Sequence, residues 1–289
     1  MSGASALRRA MLAERAGLEA RHPGIFRPDW SQRLWRGLVF AVLAGLFVYG
    51  LMSMEISWAR ISNGMGEMAK VLSVMLPPSY GTEAKLWVYL KALGETLAIA
   101  LLGTLLGAML AFPFGILAAR NVLPVWIGRF LLRRSFDTIR GVDALIWALI
   151  WINVVGLGPF AGVLAIATSD IGSFAKLFSE AVENADKKPV EGVVASGGSR
   201  LHAVRFGLIP QVLPVIASQV LYYIESNTRS ATIIGIVGAG GIGLHLAEQI
   251  RTLEWQHVSF MVLMILVAVA VIDMISTQLR FAIIGRRAI

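Results

Sequence analysis

Six stretches of this chain are too long and too apolar for a water-soluble globule to hide. Residues 37–54, 96–119, 144–169 and 206–224 carry no Asp, Glu, Lys or Arg at all. Residues 230–247 are also free of them but rich in glycine, and residues 258–279 hold a single one, Asp273. A helix needs about 20 mostly apolar residues to cross a bilayer. Only 15% of the 289 residues are Asp, Glu, Lys or Arg, where about 25% is usual for a soluble domain. The chain therefore reads as an all-α polytopic membrane protein. Residues 37–54 follow 36 residues that carry seven arginines, too long a lead for an ordinary cleaved signal, so the first run reads as a retained anchor.

The 144–169 run poses a choice between one span and two. Gly156 and Gly158 permit a tight turn, and Pro159 suits the first position of a new helix. Two helices would then cover roughly residues 136–155 and 159–178. Charge decides between the readings. With two spans and a cytoplasmic N-terminus, 20 of the 26 Lys and Arg fall inside and six outside; with one span the division is 14 to 12. Cytoplasmic loops carry the excess of positive charge, so two spans are favoured. The glycine-rich run 230–247 is then expected not to span, but to fold back within a protein-lined space. The result is six transmembrane helices, with both termini in the cytoplasm.

The expected organisation is a basic tail (1–36), a first span (37–54), an outer loop (55–92), a core (93–280) with a cytoplasmic loop at 181–205, and a cytoplasmic tail (281–289). Ile61, Met65, Met68, Leu72 and Met75 recur at helical spacing before Pro77-Pro78, which predicts an amphipathic helix on the outer face, in contact with lipid. Residues 7–21 predict a weak, solvated helix. In the second span Gly103, Gly107, Ala111, Gly115 and Ala119 repeat every four residues, giving a face where another helix backbone can approach closely. Packing inside the subunit is the first expectation for this face and a subunit interface the second. Pro113 is expected to kink the same helix.

A charge at mid-bilayer costs about 2.5–3.5 kcal/mol on insertion scales, so each near-membrane charge needs a partner or a task. Glu95 stands before the second span, Glu225 and Arg229 at the outer end of the fifth, and Asp273 near the inner end of the sixth. Asp137, Arg140 and Asp143 are spaced to share one face of the third as an ion cluster. Asn153 and Gln219 are polar within spans, where interhelical hydrogen bonding would satisfy them. Trp147 and Trp151 are expected to pack in the bundle or against lipid.

The segment between the fourth and fifth spans carries the functional signal. Pro189 can open a short helix and Gly197-Gly198 can end it. A short helix tethered to two spanning helices is a knob that another protein can grip. The segment resembles the EAA loop of type I ABC importer permeases: Glu, two alanines, three residues, Gly, nine residues, Ile-x-Leu-Pro. Glu191, Gly197 and Pro210 match at the family spacing, while Gly192 and Val193 replace the alanines, Gly207 the Ile and Ile209 the Leu. Leu157 to Leu164, Leu208 to Pro214, and Asn227 with Arg229 to Thr232 running into Gly238-Ala239-Gly240-Gly241-Ile242-Gly243 resemble the phosphonate permease branch, over about residues 93–280.

That resemblance implies the type I permease fold and a division of labour. Glu191, Gly192, Ala195, Gly197 and Pro210 would couple the chain to a dimer of cytoplasmic ABC ATPases, and Arg229, Asn153, Gln219 and Glu95 would be the candidates for lining the translocation pathway. A periplasmic or lipid-anchored binding protein would deliver phosphonate or a related oxyanion such as phosphite, and a second copy of the chain would complete the permease in a bacterial inner membrane. The sequence has no Gly-x4-Gly-Lys-Ser/Thr run to cradle ATP phosphates, so the chain is not itself expected to be an enzyme. No cofactor, metal site or nucleic-acid partner is expected: cysteine is absent and the four histidines are scattered. The Gly-x-Gly-x-x-Gly match at residues 238–243 lacks the βαβ unit that would make it a nucleotide site, and a close-packed turn explains it better. The alternatives are the same machine with another cargo, a secondary transporter, which would leave the 191–210 spacing unexplained, and an intramembrane enzyme, for which no catalytic set is visible.

Overall fold

A computed structural model describes residues 30–54, 57–122 and 125–285, with a few isolated positions between 14 and 21. Most of the weak helix expected at 7–21 and residues 286–289 of the C-terminal tail lie outside the described residues. The elements are α1 (Trp30–Ser53), α2 (Trp58–Val74), α3 (Glu83–Ala118), α4 (Trp126–Arg140), α5 (Ala144–Val155), α6 (Pro159–Glu183), α7 (Lys187–Ala195), α8 (Ile209–Ile236), α9 (Ile242–Arg251) and α10 (Trp255–Ile284). A single helical turn (Arg200–His202) and a π-helical segment (Ala203–Leu208) lead into α8. No strand occurs among the described residues.

The chain divides into two units, residues 1–70 and 71–289. In the first, α1 is long and apolar enough to cross a membrane. The expected amphipathic helix is present as α2, which begins in the first unit and ends in the second.

In the second unit α3, α6, the 200–236 run and α10 each pass the same test of length and composition. The turn predicted at Gly156–Pro159 is present: Gly156 and Gly158 have φ of +91° and +135°, and Pro159 opens α6. Two expectations need correction. The third span is not one helix over 136–155. It is broken at residues 141–143 into α4 and α5, which meet at 86°. Gly141 ends α4 and the Asp143 carboxylate accepts from the Leu145 N–H to start α5. Asp137, Arg140 and Asp143 therefore do not share a helix face, and Asp137 pairs instead with Arg134 at 3.5 Å. Glu225 and Arg229, expected at the outer end of the fifth span, lie within its helix instead: α8 continues to Ile236. The chain turns back only at Val237–Gly241, and α9 returns.

The small-residue stripe of α3 packs inside the subunit, against α6. A Cβ added to Gly103 would come within 2.7 Å of Ile166, one on Gly107 within 3.0 Å of the Ala167 carbonyl and of Asp170, and one on Gly115 within 2.8 Å of Phe178. The pairs 103–166, 107–170 and 115–178 keep one offset, so the two helices run parallel with their backbones close. Lipid leaves little hydrophobic force between helices, and close packing of small residues supplies dispersion instead. The same offset continues past the stripe: the Arg120 N–H donates to Glu183 at 2.7 Å, and Arg133 forms an ion pair with that carboxylate. α3 runs through Pro113 as one element.

At the opposite end, the glycines of 235–243 allow backbone to lie on backbone. A Cβ on Gly235 would approach the Gly240 carbonyl to 2.6 Å, and one on Gly240 the Pro159 nitrogen to 2.9 Å. Glu95 and Thr96 of α3 accept from the N–H groups of Gly241 and Ile242, at 3.3 and 2.8 Å. These bonds satisfy the otherwise open N-terminus of α9, which explains the glycines as a packed turn. Trp147 and Trp151 pack against the Ile99, Ala165 and Ile166 core, with Trp151 donating to Thr168 at 3.0 Å.

Candidate coupling site and the polar core behind it

The helix expected between the fourth and fifth spans is α7. Asp186 starts it, its carboxylate accepting from the Lys188 N–H at 3.1 Å. Gly197 and Gly198 end it: the Gly198 N–H donates to the Val193 carbonyl at 2.9 Å and the Gly197 N–H to that of Val194 at 3.0 Å. This pair of bonds closes a helix with one residue in the left-handed region, and Gly197 has φ +84°. A side chain there would meet open space but strain the backbone. Glu191, Gly192, Ala195 and Gly197 are all exposed, and none of the α7 side chains is buried.

Two features tie α7 to the base of α8. The Gln211 side-chain amide pairs with the peptide groups of Asp186. Its Oε1 accepts from the Asp186 N–H at 3.1 Å, and its Nε2 donates to the Asp186 carbonyl at 3.1 Å and to the Gly207 carbonyl at 2.5 Å. Gly207, which departs from the family's isoleucine, lies under α7: a Cβ there would come within 2.8 Å of the Val190 Cα. Pro210 is exposed on α8, just past the π-helical segment. A proline ring clashes with the carbonyl four residues back. The wider π turn, in which the Ile209 N–H reaches the Val204 carbonyl, opens that spacing. Between the end of α6 and the start of α8 lies a cavity of about 430 Å³, lined in part by Glu180, Asn184, Asp186, Gln211 and Gln219.

Behind the coupling helix, half-way along α6, is a polar contact that the sequence reading missed. Asn227 of α8 donates through Nδ2 to Asp170 of α6 at 2.5 Å and to Thr104 of α3 at 2.8 Å. All three residues are buried. Asp170 was visible as an acid one residue beyond an uncharged run; only its partner was not. The contact joins α6 and α8, which flank α7 in the chain, to α3.

The four pathway candidates are placed as follows. Arg229 is half exposed and pairs with Glu225 at 3.5 Å; Glu225 also takes Arg280 at 3.4 Å. Gln219 lines the cavity, and its Oε1 is buried with no hydrogen-bond partner among the described residues. Asn153 donates to the Leu149 carbonyl of its own helix at 2.7 Å. Glu95 faces the glycine turn.

A multi-pass helical bundle that presents one capped, exposed helix clamped to a spanning helix has the build of the membrane subunit of a transporter driven from outside the bundle. The chain belongs to the binding-protein-dependent transport system inner membrane component family, whose model matches residues 111–288; it is an ABC importer permease. It is 37% identical over 234 residues to HtxC of Stutzerimonas stutzeri, named for a phosphite transport system, covering 81% of this chain and 82% of that one. HtxE of the same organism, named for phosphite transport as well, is 39% identical over 152 residues, 53% of this chain and 58% of that one. Among solved structures, the inward-facing MetNI methionine ABC transporter shares the fold, with a TM-score of 0.61 at 18% identity over 70% of this chain and 99% of that one.

Proposed function

We propose that this chain forms half of the membrane pathway of an importer for phosphite, phosphonate or a related phosphorus oxyanion, worked by a separate cytoplasmic ATPase dimer. The observation that carries the reading is α7, without a buried side chain and held by Gln211 to the base of α8. In this reading α7 faces the cytoplasm, as the distribution of Lys and Arg favours. Glu191, Gly192, Ala195 and Gly197 meet the ATPase, and Pro210 shapes the helix base that receives the motion. ATP-driven closure of the ATPases pushes α7. The push passes through Gln211 and Gly207 into α8, through the chain itself into α6, and through the Asp170–Asn227–Thr104 contact into α3. Those helices move together, and the pathway opens toward a periplasmic or lipid-anchored binding protein.

The oxyanion cargo is supported by the phosphonate-branch motifs and by the names of HtxC and HtxE. A second permease chain completes the pathway. Since HtxC and HtxE are two different permeases of one organism, both similar to this chain, an unlike partner is favoured over a second copy. Of the pathway candidates, Arg229, Asn153 and Gln219 keep a face open to solvent or cavity, while Glu95 is engaged with the Gly241 N–H.

Purified alone, the chain is expected to hydrolyse no ATP. Mixed with its ATPase, binding protein and second permease in proteoliposomes, it should restore ATP-dependent phosphite uptake. Uptake that persists without the ATPase, driven by an ion gradient, would reject the importer in favour of a secondary carrier. Gly197→Arg should reduce co-purification with the ATPase at least tenfold while the chain still inserts, because the new side chain projects from the end of the docking helix. Full co-purification would count against α7 as the docking element.

A further inference from the structure

We propose that Arg140 is the cation through which this permease engages its anionic cargo inside the membrane; the proposal rests on the oxyanion reading above. Arg140 is the last residue of α4. Its backbone lies against Gly172, half-way along the spanning helix α6: a Cβ on Gly172 would come within 2.9 Å of the Arg140 nitrogen and 3.1 Å of its Cβ. Arg140 is thus carried deep into the bundle rather than at its rim, and it is exposed.

The carboxylates near it are committed elsewhere. Asp137 pairs with Arg134. Asp143 accepts from the Leu145 N–H at 2.8 Å. Asp170 is bonded by Asn227. No ion pair holds Arg140 among the described residues. Arg229 differs in this respect, since Glu225 already balances it. Tyr223 lies within electrostatic range of both Arg140 and Asp170.

The second observation is the break itself. Residues 141–143 interrupt the helix at 86° beside Arg140. Irregular backbone at membrane depth is tolerated only where it is enclosed by protein or lines water. Gly141 and Asp143 are exposed in the single chain. Here α5 begins, its first turn capped by the Asp143 carboxylate, so the guanidinium of Arg140 is the group left open at the break. An unpaired guanidinium beside such a break suits a tetrahedral oxyanion, which it can grip with two N–H groups.

The test uses the complete assembly in proteoliposomes, with phosphite as the probe. Arg140→Gln should lower phosphite uptake at least tenfold while co-purification with the ATPase is retained, and Arg140→Lys should keep a substantial part of the rate. The chain has no cysteine, so Arg140→Cys places one thiol in it, with partner cysteines replaced. A water-soluble cationic thiol reagent should modify that site and raise uptake, an anionic reagent should modify it without raising uptake, and phosphite should slow both reactions. An unreactive thiol in an assembly that still moves phosphite would show that the site faces lipid or protein, and would overturn the proposal, as would unchanged uptake by Arg140→Gln. A wild-type assembly that moves neither phosphite nor methylphosphonate would instead reject the oxyanion reading on which the proposal stands.

Discussion

Asn227→Leu is expected to remove most of the folded permease, and the double variant Asp170→Leu with Asn227→Leu to recover much of it. The Asn227 amide supplies its two hydrogens to Asp170 and Thr104. Deleting it leaves the Asp170 carboxyl in the interior without that donor, at 5% exposure. Orphaning a buried polar group costs about 1–3 kcal/mol when it is neutral, and breaking a buried charged pair about 3–5 kcal/mol. Either is a large share of a stability of about 5–15 kcal/mol. Thr104 loses less, because its hydroxyl still donates to the Ala100 carbonyl at 2.7 Å. Replacing both partners by apolar groups of similar size removes the orphan as well as the bond, which is often neutral. The check is the melting temperature and monodisperse yield of Asn227→Leu, Asp170→Leu and the double variant in one detergent. A single variant as stable as wild type, or a double variant worse than both singles, would show that the contact does not hold α6 to α8.

The second large effect concerns transmission rather than folding. Gln211→Ala is expected to cut ATP-dependent uptake at least tenfold while the chain still inserts and binds its ATPase. Gln211→Glu should do at least as much harm. A carboxylate can accept from the Asp186 N–H, but it cannot donate to the Asp186 and Gly207 carbonyls that Nε2 now serves, and it would face both with negative charge. ATP hydrolysis that continues without uptake is the signature of a loosened lever. If uptake and hydrolysis fall together along with ATPase binding, the side chain is needed for docking and the clamp is not the transmitting element. Normal uptake in both variants would remove Gln211 from the mechanism.

The spans and the coupling helix were legible because each depends on a local rule. Length without charge gives a spanning helix; Gly156, Gly158 and Pro159 give a turn; Gly197-Gly198 behind Ala195 end a helix, although α7 starts at Lys187 under an Asp186 cap, two residues before the expected Pro189. The every-fourth-residue stripe from Gly103 to Ala119 stated that some backbone would approach α3. It could not name α6, because small faces are alike from helix to helix. The third span was misread for a related reason. Apolar composition over 136–155 does not report the angle at Gly141–Asp143, where an alternative cap for α5 was available in the Asp143 carboxylate.

What the residue order determined by itself was the long apolar helices, the glycine turns and the position of the α7 knob, because each follows from neighbours within a turn or two. Only the tertiary structure decided what Gln211, Asn227 and Arg140 touch. Gln211 meets Asp186 from 25 residues away, Asn227 meets Asp170 from 57 and Thr104 from 123. A hydrogen bond is made between positions in space, and the helix packing that brings those positions together is set by the whole bundle.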